Sequence, residues 1–131
     1  MEAGLFSFGN TIGYEHTPFE AGLGKYCDGL ESCLGGAALA DEAQTGPSRK
    51  VCGLIFETDD FLVRLHQGWP VLDVEGCYAG EVTGISDSVH VGRPIGLATL
   101  GRAYWGVGTQ LRVQTPQGPR TAHVTDLPFR P

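Results

Sequence analysis

Long apolar runs are missing from this 131-residue sequence. No window approaches the roughly 18 to 20 consecutive apolar residues that a membrane-spanning helix needs. The opening Met1-Glu2-Ala3-Gly4-Leu5 lacks the basic-then-apolar order of a secretory signal, so a cytoplasmic setting without a membrane partner is expected. Basic residues are also sparse: nine Lys and Arg stand against fifteen Asp and Glu, for a net charge of −6. Only Arg49 and Lys50 are adjacent. A nucleic-acid binder needs a basic patch to displace counterions from phosphates, and none is present, so no nucleic-acid partner is expected.

The four cysteines, Cys27, Cys33, Cys52 and Cys77, form no C-x-x-C pair and no zinc-finger spacing with histidine. All four are expected to be reduced and structural, with Cys52 a small hydrophobe inside the run Val51-Cys52-Gly53-Leu54-Ile55-Phe56. His16, His66, His90 and His123 share no spacing that builds a metal site, and no metal is expected. Glycines 22 and 24, and 106 and 108, complete neither a P-loop nor a dinucleotide fingerprint. Ser86 and Ser88 lack the context of a hydrolase nucleophile. Asp59 and Asp60 precede Phe61-Leu62-Val63 and read as a turn cap rather than a catalytic pair.

What the sequence does have is glycine: twenty, with eight prolines, dispersed along the chain without a repeat. Glycines between short apolar runs point to turn-rich β structure. The chain divides near Gly46-Pro47. Residues 1–34 carry too few large apolar side chains to bury a core of their own. Residues 36–45 are rich in helix formers, and Gly46 followed by Pro47 supplies a stop, predicting one short helix.

Beyond Pro47 the pattern changes to strands. Lys50–Glu57 reads as a mostly buried strand, and Pro70–Val74 with Tyr78–Thr83 as a hairpin. Ile95–Leu100 is another apolar run. In Gln110–Thr115, Leu111 and Val113 share one face; after the turn at Pro116-Gln117-Gly118, Ala122 and Val124 do the same in Arg120–Thr125. Six or seven short strands at this spacing predict a mostly β chain: a small Greek-key β-barrel over residues 47–131. An incomplete α+β segment and the short helix, residues 1–46, precede it.

Several fragments together resemble one family. Glu2-Ala3-Gly4-Leu5, then Gly9-Asn10, then Thr17-Pro18-Phe19-Glu20-Ala21-Gly22-Leu23-Gly24 are similar to the E-A-G-L and T-P-x-E-A-G-L-G runs of the glycine-cleavage T-protein family. Leu34-Gly35 with Ala38-Leu39 resembles its I-G-K-x-A-L, and Arg49-Lys50-Val51-Cys52-Gly53-Leu54 its R-K-L-V-G-L. Gly68-Trp69-Pro70-Val71 and Gly80-Glu81-Val82-Thr83 match G-x-P-V and G-E-V-T. Ser88, Gly92, Ile95 and Ala98 keep the family spacing, and Asp126-Leu127-Pro128-Phe129 resembles its close.

The resemblance implies the C-terminal part of a tetrahydrofolate-dependent aminomethyl- or methyltransferase. Such enzymes have three lobes around a folate channel, the last lobe being a β-barrel and residues 1–46 a remnant of the central one. Glu2 corresponds to the glutamate that binds the pterin; a carboxylate accepts paired hydrogen bonds from the ring's amino group and neighbouring N–H. The residues alone leave Glu2 open between that role and a solvated terminal carboxylate. The family's catalytic aspartate lies in the N-terminal lobe, so no catalytic residue is expected in this chain, and the isolated chain is expected to be inactive. Its expected partners are the N-terminal lobes, a chain supplying them, or a second copy. The alternative is a non-catalytic stand-alone barrel subunit for binding or assembly.

The sequence also departs from the family pattern. Asp28-Gly29-Leu30-Glu31-Ser32 offers no basic residue where family members often carry an arginine for the folate tail. Gly36 replaces a Lys or Arg, Gly84-Ile85 a common Ser-Gly, and Val89 a common Pro. Lys25-Tyr26-Cys27 in place of the aromatic strand of glycine-cleavage enzymes points toward a demethylase-like relative. Gly76-Cys77-Tyr78-Ala79-Gly80-Glu81 is similar to the K-G-C-Y-x-G-Q-E motif of folate-binding iron–sulfur maturation proteins but falls on a predicted barrel hairpin, so Cys77 is not expected to be redox-active.

Overall fold

The structure is a computed structural model, and it describes residues 1–29, 32–65 and 67–129. Six strands follow one helix: α1 (Gly36–Thr45), β1 (Arg49–Phe56), β2 (Trp69–Leu72), β3 (Tyr78–Ser88), β4 (Arg93–Gly101), β5 (Gln110–Thr115) and β6 (Gly118–Thr125). A single 3₁₀ turn, Gly24–Tyr26, lies before the helix. The strands close in the order β1-β4-β3-β2-β5-β6, every neighbouring pair antiparallel. Hairpins join β2 to β3 and β3 to β4, and β1 returns beside β4, which is the Greek-key arrangement expected from the sequence.

Closure removes the open edges that a six-stranded sheet would otherwise present. The interior is filled by Leu54, Phe56, Val71, Val82, Ala98, Leu100, Leu111, Val113, Ala122 and Val124, and most of these are fully buried. The predicted faces hold: Leu111 and Val113 point inward from β5, and Ala122 and Val124 from β6. Phe61 and Trp69 close one end by edge contacts, with ring centroids 6.1 Å apart. Gly80 permits a close approach of β3 to β4: a Cβ there would lie 2.0 Å from the Thr99 carbonyl oxygen. Its φ of 156° also lies where side chains are disfavoured.

Strand limits differ from the sequence expectation by one or two residues in β1, β4 and β6, and those of β2 and β3 differ for a visible reason. β2 ends at Leu72 because Asp73 starts a turn instead, its Oδ1 accepting the N–H groups of Glu75 (2.9 Å) and Cys77 (2.8 Å). β3 runs on to Ser88, past a register shift between Val82 and Gly84 that lets the strand bend round the barrel.

β1 and β4 are buried on both faces, which explains why they read as continuous apolar runs. In β1, Cys52, Leu54 and Phe56 join the interior cluster, while Val51 and Gly53, facing outward, are buried as well. Gly53 lies under Thr125 and the Phe129 ring, where a Cβ would come within 3.0 Å of the ring. In β4, Ile95 and Leu97 alternate with the inward Gly96 and Ala98 yet are 0% and 1% exposed. Residues before α1 supply part of this outer cover. That segment buries only Thr11, Glu20 and Ala21 among its described residues, so it leans on the barrel rather than holding a core of its own.

α1 occupies the predicted positions and ends where Gly46, at φ 75°, donates its N–H to the Glu42 carbonyl at 2.8 Å. Beyond it, Arg102 from the end of β4 grips the linker. Its Nη2 donates to the carbonyls of Thr45 (3.1 Å), Gly46 (2.7 Å) and Pro47 (2.7 Å). Among the described residues, no helix is long and apolar enough to cross a membrane.

Candidate functional site

The first four residues form a turn, with Gly4 N–H donating to the Met1 carbonyl at 2.8 Å and Gly4 at φ 69°. That conformation is cheap only for glycine. The turn packs on the chain's other end: a Cβ on Gly4 would lie 3.4 Å from Pro128. The Glu2-Ala3-Gly4-Leu5 and Asp126-Leu127-Pro128-Phe129 motifs are therefore in contact on the outside of the barrel.

Glu2 sits on this turn, half-buried, and reaches the loop between β3 and β4. Its Oε1 accepts a hydrogen bond from the Ser88 hydroxyl and another from the His90 N–H at 3.2 Å. Ser88 is 3% exposed and organises the loop through both its oxygens. Its Oγ accepts the Val91 N–H at 3.0 Å, and its carbonyl accepts the Gly92 N–H at 2.8 Å. A hydroxyl has one proton, and with Oγ already accepting from Val91 that proton goes to Glu2. The expectation of a merely solvated terminal carboxylate does not match this arrangement, because the barrel holds the group.

A shallow cavity of about 420 Å³ opens at Glu2, bounded by Met1, Ala3, Ser86, Asp87 and Val89. A concavity of about 520 Å³ lies on the other side of Met1, lined by Asn10, Thr11, Gln67, Glu81 and Thr83 among others, and does not include Glu2. Both lie between the N-terminal segment and the outside of the barrel. Neither brings together a nucleophile, a base and an orienting group among the described residues, so the chemistry supported here is recognition by hydrogen bonding.

A second constellation fastens the N-terminal segment to β1. Thr17-Pro18-Phe19-Glu20 forms a reciprocal capping box: Glu20 N–H donates to Thr17 Oγ1 and Thr17 N–H to Glu20 Oε2, both at 3.2 Å. Arg49 Nε donates to Glu20 Oε1 at 3.0 Å, and its Nη2 to the Glu15 carbonyl at 2.8 Å. Thr17 Oγ1 donates to Glu42 Oε1 of α1 at 2.7 Å, and Val51 N–H to the Glu20 carbonyl at 2.8 Å. The Glu20 side chain is 8% exposed, so its charge is paired where water is scarce. The T-P-x-E and R-K motifs, family marks in the sequence, thus meet as one joint.

The remaining sequence candidates are dispersed. His16 and His123 lie in the segment and on β6, His90 contributes its backbone N–H to Glu2, and His66 lies outside the described residues, as do Leu30 and Glu31. Asp60 does not cap a turn: its Oδ1 accepts from Thr58 Oγ1 at 2.6 Å and pairs with Arg120 at 2.8 Å. The Thr58 hydroxyl and then Arg120 hold its carboxyl below the usual range. All four cysteines are unpaired, but only Cys52 is buried; Cys33 and Cys77 are exposed. Burial pushes the Cys52 thiol up to about 11. Cys77 lies with Asp73 and Glu75 in the β2–β3 loop, their ligand atoms within 4.8 Å of one another, as part of the turn that Asp73 organises. The sequence left Ser88 as a spacing match; the donor role was invisible because 86 positions separate it from Glu2.

The family model of the glycine cleavage T-protein C-terminal barrel domain matches residues 49–130. Dimethylsulfoniopropionate demethylase DmdA of Ruegeria pomeroyi is 35% identical over 96% of the chain and 34% of its own length. An aminomethyltransferase of Saccharopolyspora erythraea is 36% identical over 98% of the chain and 35% of its length. The crystal structure of the glycine cleavage system aminomethyltransferase T from Bartonella henselae superposes with a TM-score of 0.84 at 28% identity, covering 98% of the chain and 36% of that structure. The chain therefore spans about a third of the length of the curated relatives it matches.

Proposed function

This chain belongs to the glycine cleavage T-protein family, and from that premise we propose that it serves as the barrel-bearing, pterin-contacting third of a tetrahydrofolate-dependent aminomethyl- or methyltransferase. The observation that carries the reading is the held carboxylate of Glu2. Set on a glycine turn and fixed through Oε1 by Ser88 and His90, it faces a cavity at the barrel rim. A half-buried, oriented carboxylate suits the paired N–H donors on the edge of a pterin. Tetrahydrofolate, when bound, supplies the nitrogen that accepts the one-carbon unit. What this chain's residues do is bind and orient the ring through Glu2 and exclude water at the rim.

Residues 1–46 act in this reading as part of the central folate lobe and residues 47–131 as the C-terminal barrel, the two fastened by the Glu20–Arg49 joint. The similarity to the demethylase favours a methyl donor, in line with Lys25-Tyr26-Cys27. Leu5 is 76%, Phe8 64% and Tyr14 96% exposed, and Phe8 and Tyr14 meet edge to face at 5.0 Å. Large apolar groups clustered on one segment mark an interaction surface, and its proposed occupants are the family's N-terminal lobes, which also carry the catalytic aspartate. A stand-alone barrel subunit would present the same surface to a separate chain.

Calorimetric titration of the chain with folinic acid, a stable reduced folate, tests the reading. Weak binding that Glu2→Gln reduces by about tenfold or more is expected, the scale of a lost charge-assisted hydrogen bond. Equal affinity of the two proteins would refute the role of Glu2.

A further inference from the structure

We propose that the concavity between the N-terminal segment and the outside of the barrel binds a small organic cation with an alkyl stem, and that the Glu81 carboxylate is its counter-charge. This site stands apart from the reading of Glu2 and folate. It is built where two motifs that the folate reading leaves unused meet: Gly68-Trp69-Pro70-Val71 and Gly80-Glu81-Val82-Thr83. In β3, Val82 is fully buried in the barrel and its neighbour Glu81 is exposed on the outer face, opposite Pro70 of β2. The Glu81 carboxylate lies against the Gly68 backbone, where a Cβ on Gly68 would overlap its Oε1 and Cδ. Glycine at position 68 is what gives the carboxylate this seat.

The seat leaves the charge uncompensated. Among the described residues Glu81 makes neither a hydrogen bond nor an ion pair. Its neighbour across the β3–β4 ladder, Thr99, has a buried hydroxyl oxygen without a partner, and Glu81 does not turn to it. The concavity, about 520 Å³, has the size of a small-molecule site. Glu81 is the one charged side chain among its described lining residues, and the Met1 amino group forms no ion pair with it. Asn10, Gln67 and Thr83 add neutral hydrogen-bonding groups, and Leu65, Ile85 and Leu97 an apolar wall. A carboxylate with both oxygens unpartnered accepts the two parallel N–H bonds of a guanidinium, or the point charge of an ammonium. An exposed ion pair contributes little by itself, so the apolar wall selects a cation that carries an alkyl stem over a bare inorganic one.

Titration of the ¹⁵N-labelled full chain with n-butylguanidinium chloride at constant ionic strength tests the proposal. Saturable shifts are expected at Asn10, Gly68, Glu81 and Thr83, with a Kd on the order of millimolar. Sodium butyrate, with the same stem and the opposite charge, should leave those positions unmoved. Glu81→Gln should weaken binding about fivefold or more, while Glu75→Gln, the same charge change in the β2–β3 turn, should stay within about twofold of wild type. Gly68→Ala keeps the charge but displaces the carboxylate from its seat, and it should weaken binding about as much as Glu81→Gln. Its fold should survive in thermal denaturation, because the group that must move is the free end of a flexible side chain. No saturable shift at these positions in wild type would overturn the proposal. Equal weakening by Glu75→Gln and Glu81→Gln would overturn it too, since the probe would then be held only by the net charge of −6. Wild-type affinity in Gly68→Ala would contradict the seat assigned to the carboxylate, and that variant decides the matter if Glu81→Gln does not fold.

Discussion

Replacing Arg49 with methionine should loosen residues 15–21 from β1 while leaving the barrel closed. Arg49 gives Nε to the 8%-exposed Glu20 carboxylate at 3.0 Å and Nη2 to the Glu15 carbonyl at 2.8 Å, and its own side chain is 39% exposed. Removing one member of a fully buried pair costs roughly 3 to 5 kcal/mol. Partial exposure of Arg49 and the retained Thr17 N–H on Oε2 reduce that here to about 2 kcal/mol. Such a change is a factor of roughly 30 in a local opening equilibrium.

Native-state hydrogen exchange reads it out directly, because Val51 N–H donates to the Glu20 carbonyl at 2.8 Å. Val51 and Ala21 amides should exchange about 30-fold faster in Arg49→Met. Val113, in the β5–β6 and β2–β5 ladders, should stay within about twofold of wild type. Glu20→Gln combined with Arg49→Met should cost less than the two single changes added, since each removes the same pair. Equal acceleration at Val51 and Val113 would refute the reasoning by showing that the joint and the barrel open as one unit. No acceleration anywhere would show that the pair contributes nothing.

Other outcomes follow from the same geometry. Gly80→Ala puts a methyl 2.0 Å from the Thr99 carbonyl oxygen, so β3 and β4 must separate. A loss of roughly 3 kcal/mol or more in urea denaturation is expected. Cys52 is buried with its thiol pushed up to about 11 from 9.0, so the folded state keeps its proton where the unfolded state gives it up. That contribution is whole below about pH 9 and is lost as pH rises toward 11, roughly 2 to 3 kcal/mol in all. Cys52→Ala should therefore flatten the alkaline limb of a stability–pH curve measured by chemical denaturation. At pH 8, thiol reagents should modify the exposed Cys33 and Cys77 at once and Cys52 only at the rate of unfolding.

The parts of the fold legible in the sequence were those that local pattern controls. α1 falls on Gly36–Thr45 because helix formers run unbroken to Gly46, and β5 and β6 show their inward faces through Leu111, Val113, Ala122 and Val124. The limits that differed were set by side-chain chemistry off the pattern: the Asp73 turn cut β2 short, and the irregularity at Gly84 hid the second half of β3. The continuous apolar reading of β1 and β4 reflected a real second covered face, but nothing local says what covers it.

The site was less legible for the same reason. Glu2 could be named from its motif, while Ser88, His90 and the loop that hold it come together only when the barrel closes. The Thr17–Glu20 capping box was there to be read as a box; its partner Arg49, 29 positions on, was not. Pattern within a dozen residues finds elements, and contacts across the fold decide what the elements are for.

Chemical-shift mapping of the ¹⁵N-labelled chain against folinic acid tests the central claim most directly. The account predicts saturable shifts at Glu2, Ala3, Ser88 and His90, with the β2–β3 turn at Glu75-Gly76-Cys77, at the opposite end of the barrel from the β3–β4 loop, unmoved. Saturable shifts centred elsewhere, or none at the Glu2 turn under saturating ligand, would contradict it.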